Sequence, residues 1–258
     1  MARPVHPVRR PAVITGASSG IGAATALALV AAGHPVAIGA RRVDRLRDLA
    51  DRLRAEGGEV SVSALDLTDG ASVEAFAATV TADLGEIEIV VSNAGLVTPG
   101  RIHEVDSERF AEELDLNILG SQRLVHAFVP GMVARKRGDV VFVSSDVAVR
   151  ARPFMSSYAA GKWGLEGMAH ALQMELEGTG VRASIVRPGP TESEMGSDWD
   201  DEDAAEVITQ WIKFGLARHP RLLPASAIAD AITAIVTAPR GVHLNLIEVT
   251  PEASLEER

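Results

Sequence analysis

Short apolar runs alternate with helical patterns along most of the chain, and this alternation limits the possible folds more than any other feature. Runs rich in β-branched residues predict strands at 12–15, 35–40, 60–65, 87–92, 140–144, 182–186 and 244–249. Helical patterns lie between them at 21–32, 43–56, 71–84, 107–135, 157–177 and 225–238. Strands that alternate with helices build a parallel, twisted sheet with helices on both faces. We therefore predict an α/β fold with a doubly wound sheet of about seven strands.

Several polar or turn-forming residues lie where these predicted strands end. They are Thr15, Ala40, Asp66, Asn93, Ser145 and Pro188. The carboxyl ends of parallel strands meet at one edge of a sheet, and ligands bind there, near the point where the strand order reverses. We expect these residues to line a common binding site.

The first predicted strand runs into a glycine-rich turn, Thr15-Gly16-Ala17-Ser18-Ser19-Gly20-Ile21-Gly22, and a helix follows it. Glycine permits a tight turn and lets N–H groups at the start of a helix approach a pyrophosphate, whose charge the helix dipole stabilises. The spacing Gly16-x-x-x-Gly20-x-Gly22 differs from the usual dinucleotide fingerprint, Gly-x-Gly-x-x-Gly. The turn alone is weak evidence, because ordinary loops also have this composition.

Tyr158 and Lys162 stand at positions i and i+4 of a predicted helix, so their side chains share one face. We expect the ammonium of Lys162 to lower the pKa of the Tyr158 phenol, which would then act as a general acid/base. Ser145 follows the apolar run 140–143 and is placed to hydrogen-bond a substrate oxygen. For the Tyr–Lys pair taken alone, the alternative is a surface pair on an ordinary helix.

Together these motifs resemble those of the short-chain dehydrogenase/reductase family, in its single-domain branch. In family order the chain carries Thr15-Gly16-x-x-x-Gly20-Ile21-Gly22, Asp66, Asn93-Ala94-Gly95, Asn117, Ser145, Tyr158-x-x-x-Lys162 and Pro188-Gly189. The resemblance extends from Pro11 to about Val249. It implies a Rossmann-like fold and an NADP(H)-dependent enzyme of the carbonyl reductase or alcohol dehydrogenase type, which interconverts a ketone or aldehyde and an alcohol.

The resemblance also implies roles for single residues. Tyr158 transfers a proton to or from the substrate oxygen, and Ser145 binds that oxygen. Lys162 also holds the nicotinamide ribose, and Asn117 anchors a water that relays protons to the lysine. Cofactor contacts are expected from Gly16, Ser18, Ser19, Gly20, Ile21, Gly22, Arg41, Arg42, Asp66, Leu67, Asn93, Ala94, Gly95, Tyr158, Lys162, Pro188, Gly189, Thr191 and Ser193.

Two of these assignments have structural alternatives that the residues leave open. Asn117 lies inside an otherwise apolar helical pattern, where an amide needs hydrogen bonds, so it could be a satisfied core amide. Asp66 could be a helix cap or a turn acid instead of an adenine ligand. No metal site is expected, because the histidines lack zinc-ligand spacing.

Cofactor preference can be predicted from the end of the second strand. NAD sites usually place an acidic residue there, which accepts hydrogen bonds from the ribose 2′-hydroxyl. This chain has Ala40 followed by Arg41 and Arg42. A guanidinium binds a 2′-phosphate that a carboxylate would repel, so NADP(H) is predicted over NAD(H), with Arg41 as the main ligand. The alternative is that both arginines begin a solvated helix.

Composition favours a soluble, cytoplasmic protein without nucleic-acid or membrane partners. The formal net charge is −10, cysteine is absent, and no apolar run is long enough to span a membrane. We expect residues 1–10 to form a flexible lead without the apolar core of a secretory signal. Residues 11–258 form a single domain, in which 189–223 is a lid-like insertion over the site.

The substrate is expected to be a small carbonyl compound or alcohol of moderate size. The side chains predicted to surround it are mostly apolar, namely Asp146, Val147, Arg152, Phe154, Met155, Met195, Trp199, Trp211 and Phe214. The acidic run 198–203 could attract a cationic substrate, but a solvated helix start is favoured. Family members often pack two long helices, here the patterns 107–135 and 157–177, between subunits. The resemblance therefore implies a homotetramer, with a dimer as the second possibility.

Two other classes of function stay open at this point. A dinucleotide-sensing regulatory protein could use the same fold without turnover, although it would not need Ser145, Tyr158, Lys162 and Asn117 together. An epimerase or dehydratase could share the Tyr-x-x-x-Lys motif, but such enzymes usually need a larger substrate domain.

Overall fold

The computed structural model describes residues 9–196, 199, 201–216 and 221–253, without the side chains of 201 and 203. Its strands are β1 (Ala12–Thr15), β2 (Val36–Ala40), β3 (Val60–Ala64), β4 (Ile89–Ser92), β5 (Gly138–Val143), β6 (Val181–Pro188) and β7 (Leu246–Val249). All pair in parallel, in the order β3-β2-β1-β4-β5-β6-β7. The order reverses between β1 and β4, which opens a crevice at their carboxyl ends.

The helices are α1 (Gly20–Ala31), α2 (Val43–Ala55), α3 (Gly70–Leu84), α4 (Ser107–Leu114), α5 (Gly120–Ala134), α6 (Ser156–Glu175), α7 (Asp201–Lys213) and α8 (Ala225–Thr237). A π-helical segment, Asp115–Leu119, joins α4 to α5 without a break in direction. A short 3₁₀ turn, Asp146–Ala148, follows β5.

Apolar side chains cover both faces of the sheet. On one face, Phe76 of α3, Leu124 of α5 and Leu165 of α6 pack against the strands, and all three are buried. On the other face, Leu29 of α1 and Ile232 of α8 do the same, together with side chains from α2. Burying each large apolar side chain contributes roughly 1.5–3 kcal/mol. The two layers fix the sheet as a rigid platform, and the site is built on its edge.

The predicted Rossmann-like α/β fold is confirmed, with boundaries that differ by a few residues. The helical pattern 107–135 is one nearly continuous element, but the π-helical segment changes its register in the middle. Helix α7 lies within 189–223, the stretch predicted as an irregular insertion. No helix of the described residues has the length and apolar character needed to cross a membrane.

The structure places Arg10, which was predicted to lie in the N-terminal lead, in the folded domain. Residues 1–8 lie outside the described part of the chain, but Arg10 is fully buried at the amino edge of the sheet. Its guanidinium pairs with Asp139 and Glu88 and donates to the Val236 carbonyl at 2.7 Å. Arg182 donates to the other oxygen of Asp139 at 2.6 Å. This buried ion network therefore makes Arg10 part of the folded domain.

Candidate active site

A cavity of about 990 Å³ opens at the carboxyl ends of the strands, over the crevice between β1 and β4. Nearly all the predicted site residues line it: Gly16, Ser18, Ser19, Gly20, Ile21, Arg41, Arg42, Asp66, Leu67, Asn93, Ala94, Gly95, Ser145, Tyr158, Lys162, Pro188, Gly189, Thr191 and Ser193. Gly22 and Asn117 are close to the cavity but do not line it. The sequence motifs thus converge on one site.

The glycine-rich turn packs too closely against its surroundings for side chains. Gly16 and Gly20 have φ angles of 65° and 53°, in the region that favours glycine. A Cβ at Gly22 would lie 2.5 Å from the Gly16 carbonyl oxygen. The first turn of α1 therefore lies directly against the turn that precedes it, and its residues Gly20 and Ile21 line the cavity.

Asn93 ties this turn to the end of β4. Its Nδ2 donates to the Thr15 carbonyl at 2.9 Å, and its backbone N–H donates to the Thr15 hydroxyl at 3.0 Å. The side chain of this predicted cofactor residue is therefore occupied in bracing two strand ends. Ala94 and Gly95 continue along the cavity wall.

The arginines after β2 differ in their contacts. Arg42 donates to the hydroxyls of Ser18 and Ser19 at 3.0 and 3.2 Å, and it pairs with Glu194 at 2.8 Å. Arg41, predicted as the main 2′-phosphate ligand, lines the same part of the cavity. Arg42 therefore has the closer connection to the glycine-rich turn.

Asp66 forms the turn that the sequence left open as its alternative role. Its Oδ1 accepts hydrogen bonds from the N–H and the hydroxyl of Thr68, at 2.9 and 2.7 Å. These bonds hold the pKa of Asp66 below its ordinary value, since they favour the carboxylate. Asp66 also lines the cavity, so the turn does not remove it from the cofactor region.

Thr191 and Ser193 shape the far wall of the cavity. Thr191 donates to the Gly189 carbonyl at 2.8 Å, and the Ser193 hydroxyl accepts from the Met195 N–H at 3.3 Å. A Cβ at Gly20 would lie 3.2 Å from the Ser193 Cβ. The segment after β6 therefore reaches across the cavity to the glycine-rich turn.

Ser145, Tyr158 and Lys162 lie together at the inner end of the cavity. Tyr158 and Lys162 project from one face of α6, with the Lys162 Nζ 5.5 Å from the centre of the Tyr158 ring. Lys162 also donates to the Val143 carbonyl at the end of β5, at 2.8 Å. Ser145 begins the 3₁₀ turn after β5, where its hydroxyl accepts from the Val147 N–H at 3.4 Å and donates to Asp146 at 3.3 Å. Ser145 and Tyr158 both line the cavity here, so one substrate oxygen can meet both hydroxyls.

Burial is the main cause of the pKa shifts of Tyr158 and Lys162. It raises the pKa of Tyr158 above its usual value, while the hydrogen bond with Ser145 and the charge of Arg152 act in the opposite direction. The prediction that the Tyr158 pKa is lowered is therefore wrong for the structure described here. Burial instead lowers the pKa of Lys162 to about 8, although Glu113 and Glu166 oppose this shift. At neutral pH the phenol is protonated, as a proton donor must be.

Asn117 makes the hydrogen bonds of a satisfied core amide, the alternative that the sequence left open. It is buried in the π-helical segment, where its Nδ2 donates to the Leu96 carbonyl at 2.9 Å and its Oδ1 accepts from the Leu96 N–H at 3.0 Å. Both ends of the amide are occupied by the loop that follows Gly95. The Asn117 side chain therefore fixes the cavity wall beside Lys162.

Glu113 is a buried acid that the sequence analysis did not single out. One carboxylate oxygen accepts from the Ser157 hydroxyl at 2.8 Å and from the Thr98 N–H at 3.1 Å. The other oxygen is buried without a partner, and burial raises the pKa of the group. Glu112 and Glu113 are adjacent in sequence, and only the helix register separates the exposed acid from the buried one.

A second buried network lies behind Ser145 and Lys162. Arg187 of β6 donates to both oxygens of Glu166, at 3.0 and 2.7 Å, and the hydroxyl of Ser144 donates to the same carboxylate at 2.7 Å. Glu166 stands one turn after Lys162 on α6. The network holds the end of β5 against α6 and thereby fixes the spacing of Ser145 and Lys162.

Seven of the nine side chains predicted to surround the substrate line the cavity. They are Asp146, Val147, Arg152, Met155, Met195, Trp199 and Trp211. The other two predictions are wrong: Phe154 packs under the Arg101 guanidinium, 5.1 Å away, and Phe214 is 60% exposed. The acids of 198–203 include residues outside the described part of the chain. No group of metal ligands occurs among the described residues.

Known proteins are similar to this chain in sequence. Residues 10–204 match the short chain dehydrogenase family. A glycine betaine reductase of Emericella nidulans is 35% identical over 240 residues, which are 93% of this chain but only 18% of that protein. A 2,3-dihydro-2,3-dihydroxybenzoate dehydrogenase of Bacillus subtilis is 32% identical over 240 residues, 91% of each chain.

A solved structure has the same fold. An alcohol dehydrogenase from the archaeon Thermococcus sibiricus, complexed with 5-hydroxy-NADP, superposes with a TM-score of 0.81 at 32% identity. The match covers 93% of this chain and 96% of that one. The family match spans most of the sheet and the whole Ser145, Tyr158 and Lys162 set. This chain belongs to the short-chain dehydrogenase family of oxidoreductases.

Proposed function

We propose that the protein is an NADP(H)-dependent oxidoreductase that interconverts a ketone or aldehyde and an alcohol, with Tyr158 as the general acid/base. The observation that carries the proposal is the meeting of Ser145, Tyr158 and Lys162 at the inner end of a cavity whose outer end is the glycine-rich turn. A dinucleotide bound along this cavity would bring its nicotinamide to the phenol.

The residues around the cavity fit a dinucleotide. The glycine-rich turn leaves no room for a Cβ at Gly16 or Gly22, so its backbone can approach a pyrophosphate. Arg41 and Arg42 supply positive charge at the adenosine end, and Ala40 adds no carboxylate there. Glu194, a nearby carboxylate, pairs with both Arg42 and Arg45, so the positive charges outnumber it. We infer a preference for NADP(H) from this charge. The Thermococcus alcohol dehydrogenase, which was solved with an NADP derivative, is consistent with it.

The protein positions a substrate oxygen and moves its proton. When bound, the nicotinamide supplies or accepts the hydride. In reduction, Tyr158 donates its phenolic proton to the substrate oxygen. The Ser145 hydroxyl, which donates to Asp146 in the structure, turns its proton to the same oxygen as negative charge develops. Lys162 places an ammonium beside the phenol and stabilises the phenolate that remains. Because burial raises the pKa of Tyr158, the phenol carries its proton at neutral pH.

The substrate end of the cavity favours a carbonyl compound of moderate size. Val147, Met155 and Tyr158 form a buried cluster, and the rings of Trp199 and Trp211 pack against it. The three relatives named above act on different substrates, so their names do not identify one for this chain. We place the enzyme in the cytoplasm, as one catalytic domain in which α7 and the described residues after β6 cover the site.

Self-association as a homotetramer is part of this proposal. Trp163 of α6 and Leu119, the last residue of the π-helical segment, are 56% and 49% exposed, so a partner subunit that packs here would cover both side chains. We expect light scattering at micromolar concentration to give the mass of a tetramer. A monomer mass would contradict the proposal. A dimer mass would contradict the tetramer and leave the dimer, the second expectation from the sequence.

The direct test is a panel of aldehydes and ketones of several sizes, followed by the loss of NADPH absorbance. We expect turnover with at least one compound, and Tyr158→Phe should lower kcat by roughly 10²–10⁴ while the Kd for NADPH stays unchanged. The phenyl ring retains the packing but carries no proton. NADPH binding without turnover of any carbonyl would favour a dinucleotide sensor, and full activity of Tyr158→Phe would exclude the proposed acid.

A further inference from the structure

Helix α7 rests on the loop that carries the catalytic serine. The ring of Trp211 lies 4.6 Å from the guanidinium carbon of Arg152, and the Trp211 Nε1 donates to the Pro153 carbonyl at 3.4 Å. A cation over an indole face is attracted by the ring, and the attraction strengthens when the pair is desolvated. Only 8% of the Arg152 side chain is exposed. Arg152 is therefore held between α7 and the loop.

The same guanidinium reaches the catalytic serine through one carboxylate. Arg152 pairs with Asp146, and the other oxygen of Asp146 accepts the Ser145 hydroxyl at 3.3 Å. Ser145 and Tyr158 both line the cavity at its inner end. The contacts run without interruption from Trp211 of α7 to the group that binds the substrate oxygen.

We propose that Arg152 is a positioning residue that couples the docking of helix α7 to the orientation of the Ser145 hydroxyl. The inference rests on the proposed function, because it assigns Ser145 to the substrate oxygen. With α7 in place, Arg152 holds Asp146, and Asp146 holds the serine hydroxyl at the cavity until the serine proton turns to the substrate oxygen. Without Trp211 the guanidinium loses one of its two partners and can leave the carboxylate, so the Ser145 hydroxyl keeps only the Val147 N–H, at 3.4 Å, as a fixed partner. Ser145 is then aligned only while α7 covers the cavity.

Arg101 provides a control, because its contacts with α7 lie outside this chain of contacts. It connects α7 to the rest of the domain through an ion pair with Glu206 at 2.5 Å and through the Phe154 ring. None of its described contacts involves Asp146 or Ser145. Loss of Arg101 should therefore remove the pair with Glu206 and leave the contacts of Trp211 with Arg152, and of Arg152 with Asp146, in place.

The test is a pair of double-mutant cycles on a carbonyl that the parent enzyme reduces. We expect Arg152→Met and Trp211→Leu each to lower kcat by about ten- to a hundredfold, because misplacement of a catalytic group has effects of this size. The double variant should be no slower than the slower single variant, since both changes break the same chain of contacts. For Arg101→Met and Arg152→Met, the fold-losses in kcat of the two single variants should instead multiply in the double variant. Multiplying effects of Trp211→Leu and Arg152→Met would overturn the coupling.

The pH dependence of kcat distinguishes positioning from general support of the fold. Asp146 faces Arg152, Arg150, Glu248 and Ser145. Burial raises the pKa of Asp146, and Arg152 lowers it again. Arg152→Met should therefore move the acid limb of kcat to higher pH, Arg152→Lys should return it toward the parent position, and Asp146→Asn should remove it. An acid limb that is the same in all four proteins would overturn the role of Asp146.

A second measurement separates this inference from the proposed function. If no carbonyl is reduced, the proposed function fails, and the cycles are read from hydrogen exchange of 201–213 in the protein with NADPH. Non-additive loss of protection in Trp211→Leu and Arg152→Met, with additive loss in Arg101→Met and Arg152→Met, would support the link from α7 to Arg152. Additive losses in both cycles would overturn it.

Discussion

The charge of Lys162 gives a prediction that needs no substrate. Burial lowers the pKa of this amine from 10.5 to about 8. The folded state therefore holds the charged amine at a disadvantage of about 3 kcal/mol relative to the unfolded chain. Lys162→Met keeps a stem of similar length and removes the charge, so it should remove this disadvantage together with the hydrogen bond to Val143.

The sign of the pH dependence follows from the direction of the shift. Below about pH 8 the amine is protonated in both states, and the full disadvantage applies. Above it the folded protein releases the proton, while the unfolded chain keeps it up to its ordinary pKa of 10.5. Because the unfolded state then binds more protons, Lys162 makes the parent more stable as the pH rises. Methionine contributes no such change.

The assay is urea unfolding of parent and Lys162→Met at about pH 7 and about pH 9.5, which gives the free energy of unfolding by linear extrapolation. We expect the free energy of unfolding of the parent, relative to that of Lys162→Met, to rise by about 2 kcal/mol between the two pH values. Lys213→Met, at the exposed end of α7, serves as the control and should show no such movement. A difference for Lys162→Met that stays constant with pH would refute the reasoning.

Two further predictions test the cofactor region. Arg42→Ala should weaken NADPH by about ten- to a hundredfold and leave NADH almost unchanged, because only NADPH carries the 2′-phosphate; equal losses measured by fluorescence titration would contradict this. Gly22→Ala should lower the free energy of unfolding by about 1–3 kcal/mol, because its Cβ would lie 2.5 Å from the Gly16 carbonyl oxygen. Gly167→Ala, which has open space around it on α6, should instead stabilise by about 0.5–1 kcal/mol.

The sequence predicted the sheet and the convergence of the site residues because both follow from periodicity. Apolar runs such as 89–92 are buried on both sides, as parallel strands require, and the residues that follow them meet at the carboxyl edge. The i and i+4 spacing of Tyr158 and Lys162 likewise fixes their common face on α6. These features depend on local geometry, which the sequence carries directly.

The remaining features of the site depend on packing that no local pattern shows. The spacing of Tyr158 and Lys162 gives their proximity, but the direction of both pKa shifts is set by burial. Glu113 cannot be distinguished from Glu112 before the helix register is known. The π-helical segment changes that register and turns Asn117 toward Leu96. In each case the deciding energy is desolvation or a partner that is distant in sequence.

The buried anchor at Arg10 determines how the protein can be attached to a surface. Parallel strands all begin at one edge of the sheet and end at the other, so the Arg10 network and the Tyr158 cavity lie on opposite edges. An immobilising tag joined ahead of Arg9 would leave the mouth of the cavity toward the solution, so that nucleotide exchange on a sensor surface would proceed without obstruction.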